Sequence, residues 1–152
     1  MAGMDVTWDG LPVARERPYA SCVVVWRRSG TAREFLVLHR LHAGGPDHHG
    51  DWAWTPPSGA RLPGETPDEA ARRELREETG FDLPFVPARA RTMDVAVYVA
   101  EAPAGAEVEL DGEHDRYAWV TLEDAVQRCL PPEVGTSIED VAAWLDERVA
   151  DG

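Results

Sequence analysis

The chain has 152 residues, 43% of them hydrophobic and 28% charged, which is the length and make-up of one ordinary globular domain spanning 1–152. A formal net charge of −13 opposes any non-specific grip on DNA or RNA, and no apolar run approaches the roughly 18 residues that cross a bilayer, so nucleic acid and membrane are both excluded as partners. All basic residues are arginine, which suits bidentate phosphate contacts; two cysteines and no basic-then-apolar leader make the cytoplasm the expected compartment.

Residues 1–17 mix polar residues with prolines and have no period, so they read as an N-terminal arm or irregular first element. The β-branched, apolar run Tyr19 to Trp26 and, after Ser29-Gly30, the run Glu34 to His39 predict two central strands. The stretch from Leu41 to Asp51, LHAGGPDHHGD, is a loop by composition and of the kind that borders sites. Trp52-Ala53-Trp54 predicts a short strand halted by Pro56-Pro57, and Ser58 to Glu65 a glycine-rich bend. A helix from Pro67 to about Thr79 follows from its punctuation: Thr66 as N-cap, Pro67 at the first position, Glu69 completing a capping box and Gly80 just past the end. The short segment from Phe81 to Met93 leaves little room for strands. Met93 to Ala100 and Tyr117 to Val120 predict strands, and Leu122 to Cys129 and Ser137 to Val149 helices. Strands before, between and after helices predict an α/β class fold, a mixed sheet with helices on both faces in an α/β/α sandwich.

On a helix turning ~100° per residue, Glu74, Glu77 and Glu78 share one face beside the apolar stripe of Ala71, Leu75 and Thr79. Carboxylates about 6 Å apart repel by roughly 3 kcal/mol per pair at an effective dielectric near 20, so this edge needs protons or cations. Ion pairs such as Glu69 with Arg73 fit a solvated helix, but Glu74 and Glu78 are like charges at i, i+4, which a merely structural helix has no reason to keep. Oxygen-only ligands favour Mg²⁺ or Mn²⁺ over zinc.

Gly59, Glu65, Arg73, Glu74, Leu75, Glu77, Glu78, Gly80 and Phe81 fill, without gaps, the pattern GX5EX7REUXEEXGU with U a bulky apolar residue. The chain thereby resembles the Nudix hydrolases, and the flanking strands extend the resemblance over most of its length. The resemblance implies a metal-dependent pyrophosphohydrolase using Mg²⁺ or Mn²⁺. It makes Glu74 and Glu78 the main metal ligands, Glu77 a third ligand or the base that deprotonates water, and the Gly59 carbonyl and Glu65 completing or supporting partners. Arg73 would orient the carboxylates. Some members carry the base in a later loop, and Glu113 is the candidate, standing in a stretch from Glu113 to Trp119 that resembles EHxxYxW in members acting on diadenosine polyphosphates or deoxynucleoside triphosphates.

Trp54-Thr55-Pro56-Pro57-Ser58-Gly59 is similar to the approach to the box in diadenosine tetraphosphate hydrolases, except that Ser58 stands where those enzymes usually have lysine. The expected substrate is therefore a small nucleotide: a dinucleoside polyphosphate, a (deoxy)nucleoside triphosphate, or a sugar nucleotide such as ADP-ribose. A nucleotide-sensing module without catalysis is the rival from another class. Trp52, Trp54, Tyr19 and Trp119 are candidate stacking platforms or core residues. Arg40, His42, His48, His49 and Arg61 are candidates to meet phosphates, as is His114, which equally fits a structural hydrogen bond. Cys22 reads as core rather than nucleophile. A homodimer is an expectation from the family alone.

Overall fold

The computed structural model describes residues 10–41 and 44–151. Residues 1–9 of the expected arm, and His42, lie outside the described residues. Strands β1 (Ala20–Ser29) and β2 (Ala32–Arg40) form an antiparallel hairpin in register from Trp26↔Phe35 to Ser29↔Ala32. Beyond Trp26 and Phe35 the two strands part. β1 goes on against β4 (Ser58–Ala60) and β2 against β3 (Trp54–Thr55), while the Val23 amide donates to the Pro57 carbonyl. The chain from Trp54 to Ala60 thus fills a split in the middle of the sheet.

Outside the split, β1 pairs in parallel with β6 (Val95–Glu101), which carries the two-residue β5 (Val86–Pro87), and β2 pairs with β7 (His114–Val120). One parallel pair among antiparallel ones makes the sheet mixed. Period-two alternation sends the strands' side chains to opposite faces. Val23, Val25, Leu36 and Leu38 meet Ala71 and Leu75 of α1 (Pro67–Thr79), whereas Val24, Trp26, Phe35 and Val37 meet Ala125 of α2 (Leu122–Arg128) and Ile138, Val141 and Leu145 of α3 (Pro132–Asp151). This is the α/β/α arrangement expected from the order of elements. Among the described residues no helix is long and apolar enough to cross a membrane.

Three boundaries differ from the sequence reading. Trp52 lies in a turn with φ 66°, so the strand starts only at Trp54, and Pro56-Pro57 joins it to β4 inside the bend instead of ending the sheet. β7 begins at His114, where pairing with β2 outweighs the polar composition of the segment. α3 begins at Pro132, whose fixed φ suits a first helical position, and runs through Gly135. A Cβ on Gly135 would sit 3.1 Å from the Val126 Cα, so this glycine serves the close approach of α2 and α3 and not a break.

Arg61 departs most from its expected place. It is buried, and its guanidinium donates to the carbonyls of Pro18 at 2.9 Å, Glu65 at 2.7 Å and Glu16 at 2.7 Å. The group expected to meet phosphate instead ties the segment before β1 to the bend that precedes α1. Arg61→Ala should strand these carbonyls and lower the free energy of unfolding by about 3 kcal/mol, read by urea denaturation.

Candidate active site

Helix α1 is fixed at both ends by its own sequence. Thr66 Oγ1 accepts from the Glu69 amide at 3.1 Å, the Glu69 carboxylate accepts from the Thr66 amide at 3.0 Å, and Gly80 leaves the helix at φ 76°. Ser21 donates to the Pro67 carbonyl at 2.8 Å and the Tyr98 hydroxyl donates to Asp68, which pins the first turn to β1 and β6. Two i, i+4 rows then face the sheet, Ala71-Leu75-Thr79 and Ala70-Glu74-Glu78, and both are buried. Packing α1 through the first row carries two carboxylates of the second row inward; the Glu77 side chain stays 57% exposed.

Glu78 is 2% exposed and Glu74 9% exposed. Burial, then the hydrogen bond and charge of Glu74, push the Glu78 carboxyl well above the usual carboxylate range, against the opposing pull of Arg40 and the Ser58 amide. The Glu78 carboxyl is thus harder to ionise than a free one. Its Oε1 accepts from the Ser58 amide at 3.0 Å, so the split in the sheet delivers a backbone donor to it. One residue on, Gly59 lies so close that a Cβ there would stand 2.3 Å from the Glu74 carboxyl carbon. Glycine here keeps backbone and carboxylate in reach of a common ligand.

Arg73 gathers the remaining acids. It donates to both oxygens of Glu65, at 2.7 and 2.9 Å, to Glu74 Oε1 at 2.7 Å and to the Ala60 carbonyl at 3.1 Å, and it stands 3.5 Å from Glu77. The Arg73 hydrogen bond is also the chief reason that the Glu65 carboxyl lies below its usual range. With both oxygens on Arg73 and one also taking the Leu62 amide at 3.0 Å, Glu65 supports Arg73 and is not turned toward an ion. Glu77 is shifted the other way, upward, first by partial burial and then by the charge of Glu74.

The far wall comes from β2 and β7. Arg40 donates to Ser58 Oγ at 3.1 Å. His114 is buried, with Nδ1 2.8 Å from an Asp111 oxygen and Nε2 4.0 Å from Glu78 Oε1. Burial holds His114 below the usual histidine range, so the ring is neutral; the Asp111 carboxylate accepts from Nδ1–H, and Nε2 keeps a bare lone pair without a hydrogen-bond partner. The Nδ1 contact with Asp111 is the structural hydrogen bond that was one of the two roles expected for His114. Glu113, the candidate loop glutamate, stands in the same corner, the donor atoms of Asp111, Glu113 and His114 lying within 4.8 Å of one another. Two buried carboxylates, a glycine whose missing side chain makes room for Glu74, and an unpartnered lone pair beside them form a donor set that fits a divalent cation.

Two of the aromatic candidates have packing partners of their own. Trp54 is buried, its ring packs against His39 with centroids 5.0 Å apart, and Arg116 and Arg128 lie over it, so it belongs to the core on the α2–α3 side. Trp119 is half-buried under Arg27, 4.5 Å from ring centroid to guanidinium. Cys22 is buried with its thiol pushed up to about 12, first by burial, which suits core and not nucleophile. His48 and His49 bond within their loop region: His48 Nε2 contacts the Asp51 carbonyl and His49 Nδ1 accepts from Trp54. Sequence reasoning missed Asp111, whose signal was the Asp111-Gly112 turn just ahead of Glu113, and the Ser58 amide, which has no side-chain signal.

The profile of the NUDIX domain matches residues 16–145. The asymmetrical bis(5'-nucleosyl)-tetraphosphatase of Caenorhabditis elegans is 30% identical over 138 residues, covering 83% of this chain and 95% of the relative. That of Mus musculus is 35% identical over 126 residues, 74% and 80% of the two chains. A crystal structure of a C. elegans Ap4A hydrolase binary complex aligns with a TM-score of 0.68 at 29% identity, over 84% of this chain and 97% of that one.

Gly59→Ala should displace the Glu74 carboxylate from its bond to Arg73. The expected outcome is a loss of hydrolytic kcat of about 100-fold with a melting temperature within a few degrees of the parent, measured side by side.

Proposed function

The chain belongs to the NUDIX domain family and is a hydrolase of phosphorus anhydrides; we propose that it is a Mg²⁺- or Mn²⁺-dependent enzyme that cuts a dinucleoside polyphosphate off-centre. The buried pair Glu74 and Glu78, tolerable only with a proton or a cation between them, carries the metal dependence. Near full-length similarity to two asymmetrical bis(5'-nucleosyl)-tetraphosphatases supports the substrate class.

In this reading Glu74 and Glu78 hold the ion with the Gly59 carbonyl, and Arg73, braced by Glu65, keeps Glu74 in place. The bound cation supplies charge that offsets the carboxylates and the diphosphate and makes water more acidic. Glu77, accessible and with a carboxyl raised above its usual range, takes the proton from the attacking water. The water oxygen forms its bond to phosphorus as the anhydride P–O bond breaks, and the departing nucleotide keeps the electron pair. Glu113 is the second candidate for the proton acceptor. Arg40, anchored on Ser58 beside Glu78, supplies a fixed cation for the substrate's phosphates.

Incubation of the protein with diadenosine tetraphosphate and Mg²⁺ or Mn²⁺ tests the reading through its products. A triphosphate and a monophosphate in equal amounts support it. Two diphosphates, turnover of ADP-ribose in preference, or binding without turnover overturn it. Glu78→Gln should lower kcat about 1000-fold or more. Without metal its melting temperature should match the parent or exceed it, because glutamine still accepts from the Ser58 amide and removes a buried carboxyl that burial and Glu74 make hard to ionise. The rise in melting temperature that the parent gains on adding metal should vanish. Comparing Glu77→Gln with Glu113→Gln identifies the base as the residue whose loss costs more in kcat.

A further inference from the structure

Strands β2 and β7 pair in simple register from Phe35↔Val120 to His39↔Arg116 and then slip, Arg40 facing His114. Asp115 is therefore an extra residue in β7, a one-residue bulge of the kind that re-aims side chains next to sites. In an unslipped ladder Arg40 would face Asp115, and Asp115 would be turned to Glu78. The bulge gives that place to His114, whose Nε2 stands 4.0 Å from Glu78, and turns the Asp115 carboxylate to the opposite face of the sheet.

There Asp115 meets His39, which is fully buried in β2. Nδ1 of His39 lies 2.6 Å from Asp115 Oδ1 and Nε2 lies 2.6 Å from the His48 carbonyl oxygen. Both oxygens only accept, and a bare nitrogen at that distance would face a second lone pair, so both ring nitrogens donate and the ring is an imidazolium. The other Asp115 oxygen accepts from Arg116 at 3.1 Å, and Arg116 also donates to the Pro46 carbonyl at 2.8 Å. One carboxylate thus collects two cations, each of which holds a carbonyl of the 44–51 loop. At the entry to that loop, the Leu41 amide donates to the Glu113 carbonyl at 3.0 Å.

We propose that His39 is a positioning residue for the hydrolysis: clamped between Asp115 and the His48 carbonyl, it locks the bulge that turns His114 to Glu78 and ties the 44–51 loop to the same edge. This rests on the reading of the Glu74–Glu78 edge as the catalytic one. A buried cation held by charge-assisted bonds resists displacement because breaking one partner strands the other charge. The bulge is therefore kept by an ion pair on the face of the sheet away from the chemistry.

Nitrogen-15 NMR of the full chain near neutral pH should find slowly exchanging protons on both ring nitrogens of His39. His39→Gln and Asp115→Asn should each lower kcat about 10-fold with KM within about twofold, since the latch places reacting groups more than it binds substrate. Both should shift the ring signals of His114, which neither side chain touches. The double variant His39→Gln/Asp115→Asn, whose two amides are able to bond each other, should lose no more than the worse single variant. If His39→Gln does not fold, Asp115→Asn, at a partly exposed side chain, decides. A single ring proton on His39, unmoved His114 signals, or parental kcat in the folded variants would overturn the proposal. If the parent protein hydrolyses no anhydride, the proposed function falls, while the two NMR readouts still decide the latch.

Discussion

Two glutamates buried side by side, Glu74 and Glu78, are the constraint around which the site is built. Both are drawn inward because α1 must bury Ala71 and Leu75 against the sheet, and an i, i+4 row beside the apolar one goes with it. Each carboxylate would be expensive alone in that environment. The protein answers with the Arg73 guanidinium on Glu74, the nearby charge of Arg40 and a backbone amide from Ser58 on Glu78. None of these satisfies the pair completely, and the remaining demand is one a divalent cation meets.

The backbone around the pair is irregular in two places, and both irregularities bring donors to it. On one side the sheet splits between β1 and β2, and the inserted chain brings the Ser58 amide and the side-chain-free Gly59 against the carboxylates. On the other side the bulge in β7 brings His114. The split leaves the Ser58 amide to Glu78 and the bulge re-aims the His114 side chain, which is how a site is placed in a sheet that otherwise satisfies itself.

The arginines show how little composition says about use. Arg61 is consumed by three carbonyls and fastens the chain before β1, Arg73 is a hub for three acids, and Arg40 reaches Ser58 at the carboxylate edge. In a chain of net charge −13 such cations are local, and their partners decide whether they brace the fold or face a ligand. What separates Arg40 from Arg61 is the number of fixed acceptors around the guanidinium.

The helix α1, its caps and its acidic face were legible in the sequence because capping and i, i+4 spacing act within a few residues, and the apolar runs Tyr19 to Trp26 and Glu34 to His39, with strands before, between and after helices, forecast a sheet covered on both faces. The family signature placed the carboxylates for the same reason: its spacing is helical spacing. The split sheet, the start of β7 at His114, the passage of α3 through Gly135 and the withdrawal of Arg61 and Trp54 from the site were not legible. Each depends on a partner distant in the chain: β2 for Asp115, Val126 for Gly135, the carbonyls of Glu16 and Pro18 for Arg61. Local periodicity determines which faces are apolar and which residues share them; only tertiary pairing determines register, and a slip of one residue decides whether His114 or Asp115 looks at Glu78.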